Sequence, residues 1–280
     1  MPTLLTADRT PIHYTDAGAG PVLMFTHSWG LNSGQWRDII EQLVHKGFRC
    51  VSYDRRGHGD SGAYAGEWTV DLLADDLAGL LDELDLHDVT LVGHSLGCGE
   101  IVRYLSRHGT ARVSRAVLVA PQLPLVVKTA DNPDGVDEAM LEAVLAALKS
   151  DVRQWCIDNI APFFGDHAVP PDVAESTVDP VAAVPVETLA ATQWMGAHTD
   201  YRADLAGLDL PVVVIHGDAD VSAPIELTGR CTAALLPNAR LIEIPGAAHG
   251  LYVTHADRII DAICVRSPAP TAAERTQITR

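Results

Sequence analysis

The chain has 280 residues, 47% of them hydrophobic and 20% charged, which is ample for a folded core and ordinary for a soluble globular protein. Its formal net charge of −17 and its scattered basic residues disfavour nucleic-acid binding, because an acidic surface repels phosphate. No apolar run approaches the roughly 20 residues that a membrane-spanning helix needs, and the N-terminal residues lack the pattern of a signal peptide. We therefore expect a cytoplasmic protein that acts on a small molecule, without membrane contact.

Short β-like runs open the chain and then alternate with helical patterns. Residues 3–18 alternate between apolar and polar side chains as a β-hairpin does. Helical spacing occurs at 69–86 and at 99–109, and Gly109 ends the second pattern. Six runs rich in Val, Ile and Leu are typical of parallel strands buried on both faces: 22–27, 48–54, 89–94, 116–121, 212–217 and 239–246. This order predicts an α/β fold, with a mostly parallel central sheet and helices on both faces.

One long segment interrupts the alternation, because no convincing strand occurs between about residue 122 and residue 205. Residues 137–160 and 188–198 have helical patterns, and the stretch between them is rich in proline and bulky side chains. We interpret the segment as a helical cap, or lid, inserted into a single core domain. The predicted boundaries are 1–121 and 206–266 for the core, 122–205 for the cap and 267–280 for a polar, flexible tail.

The sequence LVGHSLGCGE, residues 91–100, places Ser95 directly after a predicted strand and before a predicted helix. Small flanking residues allow the sharp turn that lifts a nucleophilic serine clear of a sheet. The motif alone is weak evidence, because G-x-S-x-G is frequent by chance. A serine hydroxyl also needs an imidazole as base, a carboxylate that orients the imidazole, and N–H donors for the developing oxyanion.

Suitable side chains follow other predicted strands. Asp218 and Asp220 come directly after the run that ends at residue 217, and His249 comes after the run that ends at residue 246. Because the carboxyl ends of parallel strands share one edge of a sheet, we expect these groups to converge with Ser95. The spacing leaves open whether Asp218 or Asp220 is the acid, and a second aspartate in such a turn commonly bonds the local backbone.

Seven segments carry a family resemblance: YDRRGHGDS (53–61), VGHSLGCGEIVRYLSRHGTARV (92–113), NPDGV (132–136), PFFG (162–165), YRADL (201–205), PVVVIHGDADVSAP (211–224) and IPGAAHGLYVTHAD (244–257). Over about residues 3–265 the chain resembles the α/β-hydrolase fold proteins. It is most similar to the non-haem haloperoxidase group, which are esterases with perhydrolase side activity. The order of serine, aspartate and histidine along the chain is the order found in that fold.

The resemblance implies that Ser95 is the nucleophile, Asp220 the acid and His249 the base. It also implies that the backbone N–H groups of Trp29 and Leu96 form the oxyanion hole. The first loop departs from the family, because His-Ser-Trp-Gly (27–30) stands where the family usually has His-Gly-aromatic-Pro. That proline is associated with favouring peroxide over water, so its loss counts against perhydrolysis.

Four further residues are candidates for the substrate pocket: His27, His94, Trp155 and Trp194. Small-molecule pockets are mostly apolar with a few polar groups, which suits this set. The competing interpretation is structural, since a histidine beside a nucleophile often packs internally and aromatic residues in a lid often only fill space. The five widely spaced cysteines and the absence of ligand spacing among the histidines predict neither a metal site nor a cofactor.

The favoured function is a serine hydrolase that cleaves a carboxylic ester or lactone of a small, largely apolar substrate through an acyl-enzyme on Ser95. One alternative is perhydrolase or haloperoxidase activity. A second is cofactor-free oxygenation, although those enzymes place an aspartate after the preceding strand, where this chain has Ala120-Pro121-Gln122. A third is a non-catalytic ligand-binding relative, which complete catalytic motifs disfavour. The sequence leaves open the two parts of the substrate and whether the chain forms homo-oligomers.

Overall fold

In the computed structural model, which describes residues 2–265, eight strands form one sheet in the order β1-β2-β4-β3-β5-β6-β7-β8. The strands are β1 (Thr3–Leu5), β2 (Pro11–Gly18), β3 (Val22–Thr26), β4 (Arg49–Tyr53), β5 (Val89–His94), β6 (Val113–Val119), β7 (Val212–Gly217) and β8 (Ala239–Ile244). β2 pairs antiparallel with β1 and β4, and every other neighbouring pair is parallel. The predicted α/β fold is therefore confirmed.

Helices cover both faces and one end of this sheet. Those in the described residues are α1 (Arg37–His45), α2 (Val70–Glu83), α3 (Leu96–His108), α4 (Glu138–Ser150), α5 (Val152–Phe164), α6 (Pro171–Ala183), α7 (Val186–His198), α8 (Arg202–Ala206), α9 (Gly229–Leu235), α10 (Leu251–Thr254) and α11 (Ala256–Cys264). The Thr69 hydroxyl caps α2 by accepting the Leu72 N–H, and Gly109 ends α3 at a φ of 80°. Within residues 2–265, no helix combines the length and apolarity needed to cross a membrane.

Two apolar clusters hold the layers together. On one face, Leu77 of α2 and Ile101 of α3 pack against the sheet, and both are fully buried. On the other face, Leu43 of α1 and Ile259 of α11 are also fully buried. Burial of apolar surface is the main favourable term in folding, so these clusters fix the strands and the loops that follow them.

The chain between β6 and β7 is helical, as predicted, but its details differ from the prediction. The pattern over 137–160 is two helices, α4 and α5, because Asp151 leaves the helical conformation between them and caps α5 through the Gln154 N–H. The proline-rich stretch contains α6, which the sequence pattern did not predict. Pro171 opens this helix, where its missing N–H has no helical partner to lose. The predicted tail, 267–280, lies outside the described residues.

Candidate active site

Ser95 lies on the sharp turn between β5 and α3. Its φ of 54° and ψ of −118° are strained for a residue with a side chain, which is the conformation expected of a nucleophile on such a turn. Gly93 and Gly97 leave no room for a side chain. A Cβ on Gly93 would lie 2.8 Å from Thr26 Oγ1, and one on Gly97 would lie 2.8 Å from the His27 carbonyl oxygen. The turn therefore packs directly against the end of β3.

Asp220 and His249 meet at the ends of β7 and β8. His249 Nδ1 lies 2.7 Å from Asp220 Oδ2, and the two residues are 5% and 4% exposed. The other oxygen, Oδ1, accepts the backbone N–H groups of Ser222 and Ala223 at 2.9 and 2.8 Å. A carboxylate held in this way keeps an imidazole in one tautomer and stabilises its protonated form.

A second imidazole also reaches Asp220. His216 Nε2 lies 3.1 Å from Asp220 Oδ2 and 2.8 Å from the Ala223 carbonyl oxygen, so this nitrogen carries a proton and donates to both. Burial acts to raise the pKa of Asp220, but the adjacent His249 and His216 rings hold it well below its usual range. The carboxylate is therefore ionised whenever the protein is folded near neutral pH.

Asp218, the competing acid, has a different role. It is exposed, and its Oδ1 accepts the Gly246 N–H at 2.6 Å, which ties the loop after β7 to the loop after β8. The structure thus brings Asp220, and not Asp218, to the His249 ring. Of the two aspartates that the spacing left open, Asp220 is the one that contacts the predicted base.

A backbone contact joins His249 to the end of β5, directly before Ser95. His94, the residue before Ser95, has its Nε2 atom 3.1 Å from the His249 carbonyl oxygen. In the part of the chain that the structure describes, no hydrogen bond joins the Ser95 hydroxyl to the His249 ring. Catalytic hydrogen bonds are commonly long in the absence of substrate and shorten when it binds.

The predicted oxyanion-hole donors are both unused. Among the described residues, neither the Trp29 N–H nor the Leu96 N–H donates to another group of the chain. Leu96 is the first residue of α3, so its N–H has no partner inside the helix and lies at the positive end of the helix dipole. Both groups are thus available to stabilise a negatively charged oxygen.

The predicted pocket tryptophans behave differently from each other. Trp29 and Trp155 meet edge to face with ring centroids 5.8 Å apart, and the Trp29 indole N–H donates to the Leu189 carbonyl in α7 at 3.0 Å. Trp194 instead stacks on His198, with centroids 4.0 Å apart. Phe163, in the last turn of α5, lies edge-on to His249 with ring centroids 5.5 Å apart.

The histidines proposed for the pocket are internal, which corrects that hypothesis. His27 is 1% exposed; its Nε2 accepts the Arg55 N–H at 2.9 Å and its Nδ1 lies 2.7 Å from the Ser28 carbonyl oxygen. Burial and the Arg55 charge lower the pKa of His27 well below its usual value. His94 is 0% exposed and both of its nitrogens are hydrogen-bonded. Neither ring offers a free nitrogen to a substrate.

The two arginines of the YDRRGHGDS segment, Arg55 and Arg56, are buried and support the surrounding loops. Arg55 is 1% exposed, donates twice to Glu100 Oε2 at 3.0 and 2.9 Å, and donates to the His27 carbonyl at 2.8 Å. Arg56 is equally buried and forms a two-point contact with Asp76 at 2.6 Å. Arg55 therefore anchors the start of the loop that carries Trp29.

One group of side chains in the described residues has the spacing of a metal site. Donor atoms of His13, Asp54 and Asp60 lie within 4.8 Å of one another. However, the two Asp54 oxygens already accept the backbone N–H groups of Ser33 and Asp60, which explains the carboxylate as a loop support. The group lies on β2 and the loop after β4, not on the strands that carry Ser95, Asp220 and His249.

Comparisons with known proteins agree with the fold and the motifs. Residues 21–256 match the family model of the alpha/beta hydrolase fold. The chain is 37% identical to the non-heme chloroperoxidase CPO-A1 of Kitasatospora aureofaciens, over 92% of this chain and 95% of that one. It is 34% identical to the bifunctional esterase/perhydrolase DCH of Acinetobacter calcoaceticus, over 92% and 96%.

A solved structure is equally similar. The bromoperoxidase from Bacillus anthracis superimposes with a TM-score of 0.87 at 33% identity, covering 91% of this chain and 94% of that one. The resemblance inferred from the motifs is confirmed. The chain belongs to the α/β-hydrolase fold family and is a hydrolase.

Proposed function

We propose that the protein is a serine hydrolase that cleaves a carboxylic ester or lactone of a small, largely apolar substrate through an acyl-enzyme on Ser95. The observation that carries this proposal is the buried Asp220–His249 contact of 2.7 Å, because His249 is also hydrogen-bonded to His94, the residue before a serine held at a φ of 54°. Nucleophilic acyl transfer requires an oriented imidazole that can reach such a serine.

In the proposed mechanism, His249 removes the hydroxyl proton as Ser95 Oγ attacks the substrate carbonyl carbon. The ionised Asp220 stabilises the imidazolium that forms. The N–H groups of Trp29 and Leu96 donate to the oxyanion, and each such donor typically contributes about 10²–10³ in rate. His249 then gives its proton to the departing alcohol, and a water that it activates hydrolyses the acyl-enzyme.

The surroundings of the site support an apolar substrate. Trp29, Trp155 and Phe163 bring three aromatic rings to the region of the oxyanion donors and the base. Ser95 is only 5% exposed, which favours a small substrate over a polymer. Aromatic side chains bind flat or branched apolar groups through area and edge-to-face contact.

Perhydrolysis is the second candidate, because relatives of this chain carry chloroperoxidase and esterase/perhydrolase names. In that reaction hydrogen peroxide replaces water in attacking the acyl-enzyme and a peracid leaves. The position at which the family usually has proline is Gly30, whose φ is 70°. Proline is confined to a φ near −65°, so this loop has a backbone that the family residue does not adopt. We therefore favour hydrolysis.

The test of the function is the pair Ser95→Ala and Ser106→Ala. We expect Ser95→Ala to abolish turnover of short p-nitrophenyl esters and labelling by a fluorophosphonate, because both need the same hydroxyl. Ser106 is an exposed residue of α3, and its variant should keep both activities. Retained turnover in a folded Ser95→Ala protein would refute the proposal.

A substrate panel separates the two candidate reactions. Esters and lactones of increasing chain length, assayed with and without hydrogen peroxide, give acid and peracid yields for each substrate. Hydrolysis as the main activity predicts that acid exceeds peracid even at high peroxide. A peracid yield that exceeds the acid yield at low peroxide would favour perhydrolysis instead.

A further inference from the structure

Gln35 connects two loops of the site through its side-chain amide. It lies in a 3₁₀ turn, Ser33–Trp36, which is fixed at one end by the Asn32 side chain and at the other by the fully buried Trp36. Gln35 Oε1 accepts the Ser28 N–H at 2.9 Å, and Gln35 Nε2 lies 2.7 Å from His94 Nδ1. The amide thus contacts the loop after β3 and the last residue of β5.

The hydrogen bonds of this connection determine one another. Because Gln35 Oε1 accepts from Ser28, Nε2 is the donor, and His94 Nδ1 must accept without a proton. The proton of the neutral His94 ring then lies on Nε2, which donates to the His249 carbonyl oxygen at 3.1 Å. Burial and the nearby His249 lower the pKa of His94 well below its usual value, so the ring stays neutral. We call this chain of three contacts the Gln35–His94 bridge.

The two loops that the bridge joins follow strands that are not neighbours in the sheet. The loop after β3 carries Ser28 and Trp29, and the loop after β8 carries His249. In the strand order, β5, β6 and β7 lie between β3 and β8, so no ladder of backbone hydrogen bonds joins those two strand ends directly. The bridge spans this gap in three hydrogen bonds and passes through His94, the residue before Ser95.

We propose that Gln35 and His94 are positioning residues, which hold the Trp29 N–H and the His249 ring in a fixed relation on the two sides of Ser95. This inference rests on the function proposed above. Ser28 immediately precedes Trp29, so a shift of the Ser28 N–H moves the oxyanion donor. The His249 carbonyl bonded to His94 belongs to the residue whose ring acts as base. Neither Gln35 nor His94 needs to touch the substrate.

The bridge should affect the transition state more than substrate binding. The oxyanion and the imidazolium exist only during the reaction, so a misplaced donor or base lowers kcat while KM changes little. A displacement of about 1 Å can cost roughly 100-fold in rate. A residue that only stabilised the fold would lower the yield of folded enzyme and leave kcat per folded site unchanged.

The test compares Gln35→Leu with Gln42→Leu, the same substitution at an exposed position of α1. For Gln35→Leu we expect kcat on a short p-nitrophenyl ester, per fluorophosphonate-titrated site, to fall roughly tenfold or more, with KM changed less than about twofold. Gln42→Leu should match the unmodified protein. In ¹⁵N spectra of the histidine rings, the His94 Nδ1 resonance should shift in Gln35→Leu only, because it loses a donor.

A double-variant cycle checks that the two residues act together. His94→Phe keeps an aromatic ring and removes both contacts, so Gln35→Leu combined with His94→Phe should be no slower than the slower single variant. If the losses in kcat of the two single variants multiplied in the double variant, the two residues would not act together. If the His94 Nδ1 resonance did not shift in Gln35→Leu, the contact between the two residues would be refuted. Ser95-dependent turnover that Gln35→Leu leaves unchanged would refute the positioning role alone. Turnover that survives Ser95→Ala would refute the proposed function and this role together.

Discussion

Asp220 accepts hydrogen bonds from four donors, two backbone N–H groups and two imidazoles. All the lone-pair positions of the carboxylate are therefore filled, which holds the group in one orientation as well as ionised. Asp218, two residues earlier, is exposed and accepts the Gly246 N–H. The two aspartates thus differ in their contacts far more than in their place in the sequence.

This difference predicts the ranking of two matched variants. Asp220→Asn should lower kcat on a p-nitrophenyl ester by about 10³–10⁴, because an amide favours the wrong tautomer of His249 and cannot stabilise the imidazolium. Asp218→Asn keeps an oxygen for the Gly246 N–H and should stay within a few-fold of the unmodified protein. Steady-state kinetics of the two proteins decides, and the reverse ranking would move the acid role to Asp218.

The sequence predicts the candidate catalytic residues at the strand ends, but it does not predict the roles of the residues that support them. Ser95, His249 and the pair Asp218 and Asp220 could be selected because the carboxyl ends of parallel strands lie at one edge of the sheet, and the family resemblance then favoured Asp220. Gln35 carries no motif, since a lone glutamine in a short turn becomes informative only when folding brings it to His94. His27 and His94 were assigned to the pocket from their place beside the catalytic loops, but a position in the chain does not tell on which side a ring is buried.

At the scale of elements, the turn from β5 into α3 depends on close contact with the end of β3. A Cβ on Gly97 would lie 2.6 Å from Thr26 Oγ1 and 2.8 Å from two backbone carbonyl oxygens. The Thr26 hydroxyl also donates to the Gly97 carbonyl at 2.9 Å. Because backbone atoms form most of this contact, the neighbours have little freedom to move.

Gly97→Ala should therefore lower the free energy of unfolding by about 1–3 kcal/mol and reduce ester turnover, since it pushes β3 and its loop away from Ser95. Gly79→Ala is the control, because a Cβ in the middle of α2 meets only Leu4 Cδ2 at 3.4 Å. It should raise the free energy of unfolding by up to about 1 kcal/mol. Urea unfolding followed by circular dichroism measures both, and equal stabilities would contradict the packing argument.

Helices and strands with a clear sequence pattern were predicted correctly, and those without one were missed. The parallel strands are short apolar runs that end in polar or glycine residues, and they are found where the runs lie. The break at Asp151 was missed because apolar spacing continues across it from α4 into α5. Helix α6 was missed because proline usually ends helices; here Pro171 is at the first turn, and the buried Val178 and Val181 offset the cost of Pro180 inside the helix.

At the scale of the whole molecule, the protein buries several histidines in their neutral form. His27, His58 and His94 are at most 1% exposed. Burial lowers the pKa of each, and for His58, with the Arg55 charge adding to the effect, to about 3. In the unfolded chain each titrates near pH 6.5. Below that pH the unfolded chain gains protons that the folded protein does not bind, so stability is complete above it and is lost as the pH falls.

We therefore expect the free energy of unfolding to decrease from about pH 7 to about pH 5.5, each of these histidines contributing up to about 1.4 kcal/mol per pH unit. His58→Gln should make this slope shallower by up to about 1.4 kcal/mol per pH unit, the value for one proton. His87→Gln, a change at a side chain that is 62% exposed, should leave the slope as it is. Urea unfolding at several pH values measures the slopes, and a slope unaffected by His58→Gln would contradict the assignment of a neutral buried ring.

Net charge and composition predict that the protein is globular, but they predict little about its individual contacts. A charge of −17 says nothing about which acidic groups are paired, and the buried Arg55–Glu100 and Arg56–Asp76 contacts are invisible in a total. The α/β fold, in contrast, followed from the alternation of runs, because right-handed crossovers leave few ways to arrange them. The global pattern determines the architecture, whereas individual polar contacts depend on the final packing.

Trp29 has contacts in both the core and the cap. Its backbone N–H is an oxyanion donor in the proposed mechanism. Its indole N–H donates to the Leu189 carbonyl, and its ring packs edge to face with Trp155. Enzyme engineers who graft the helical insertion of a relative onto this scaffold, in order to change which esters it accepts, would also be exchanging the partners of that indole. Chimeras that keep Trp155 and the position of the backbone carbonyl of residue 189 should keep their turnover, whereas chimeras that lose these contacts should turn over ester more slowly. Substitutions in the cap that change substrate selectivity would then also change the turnover rate.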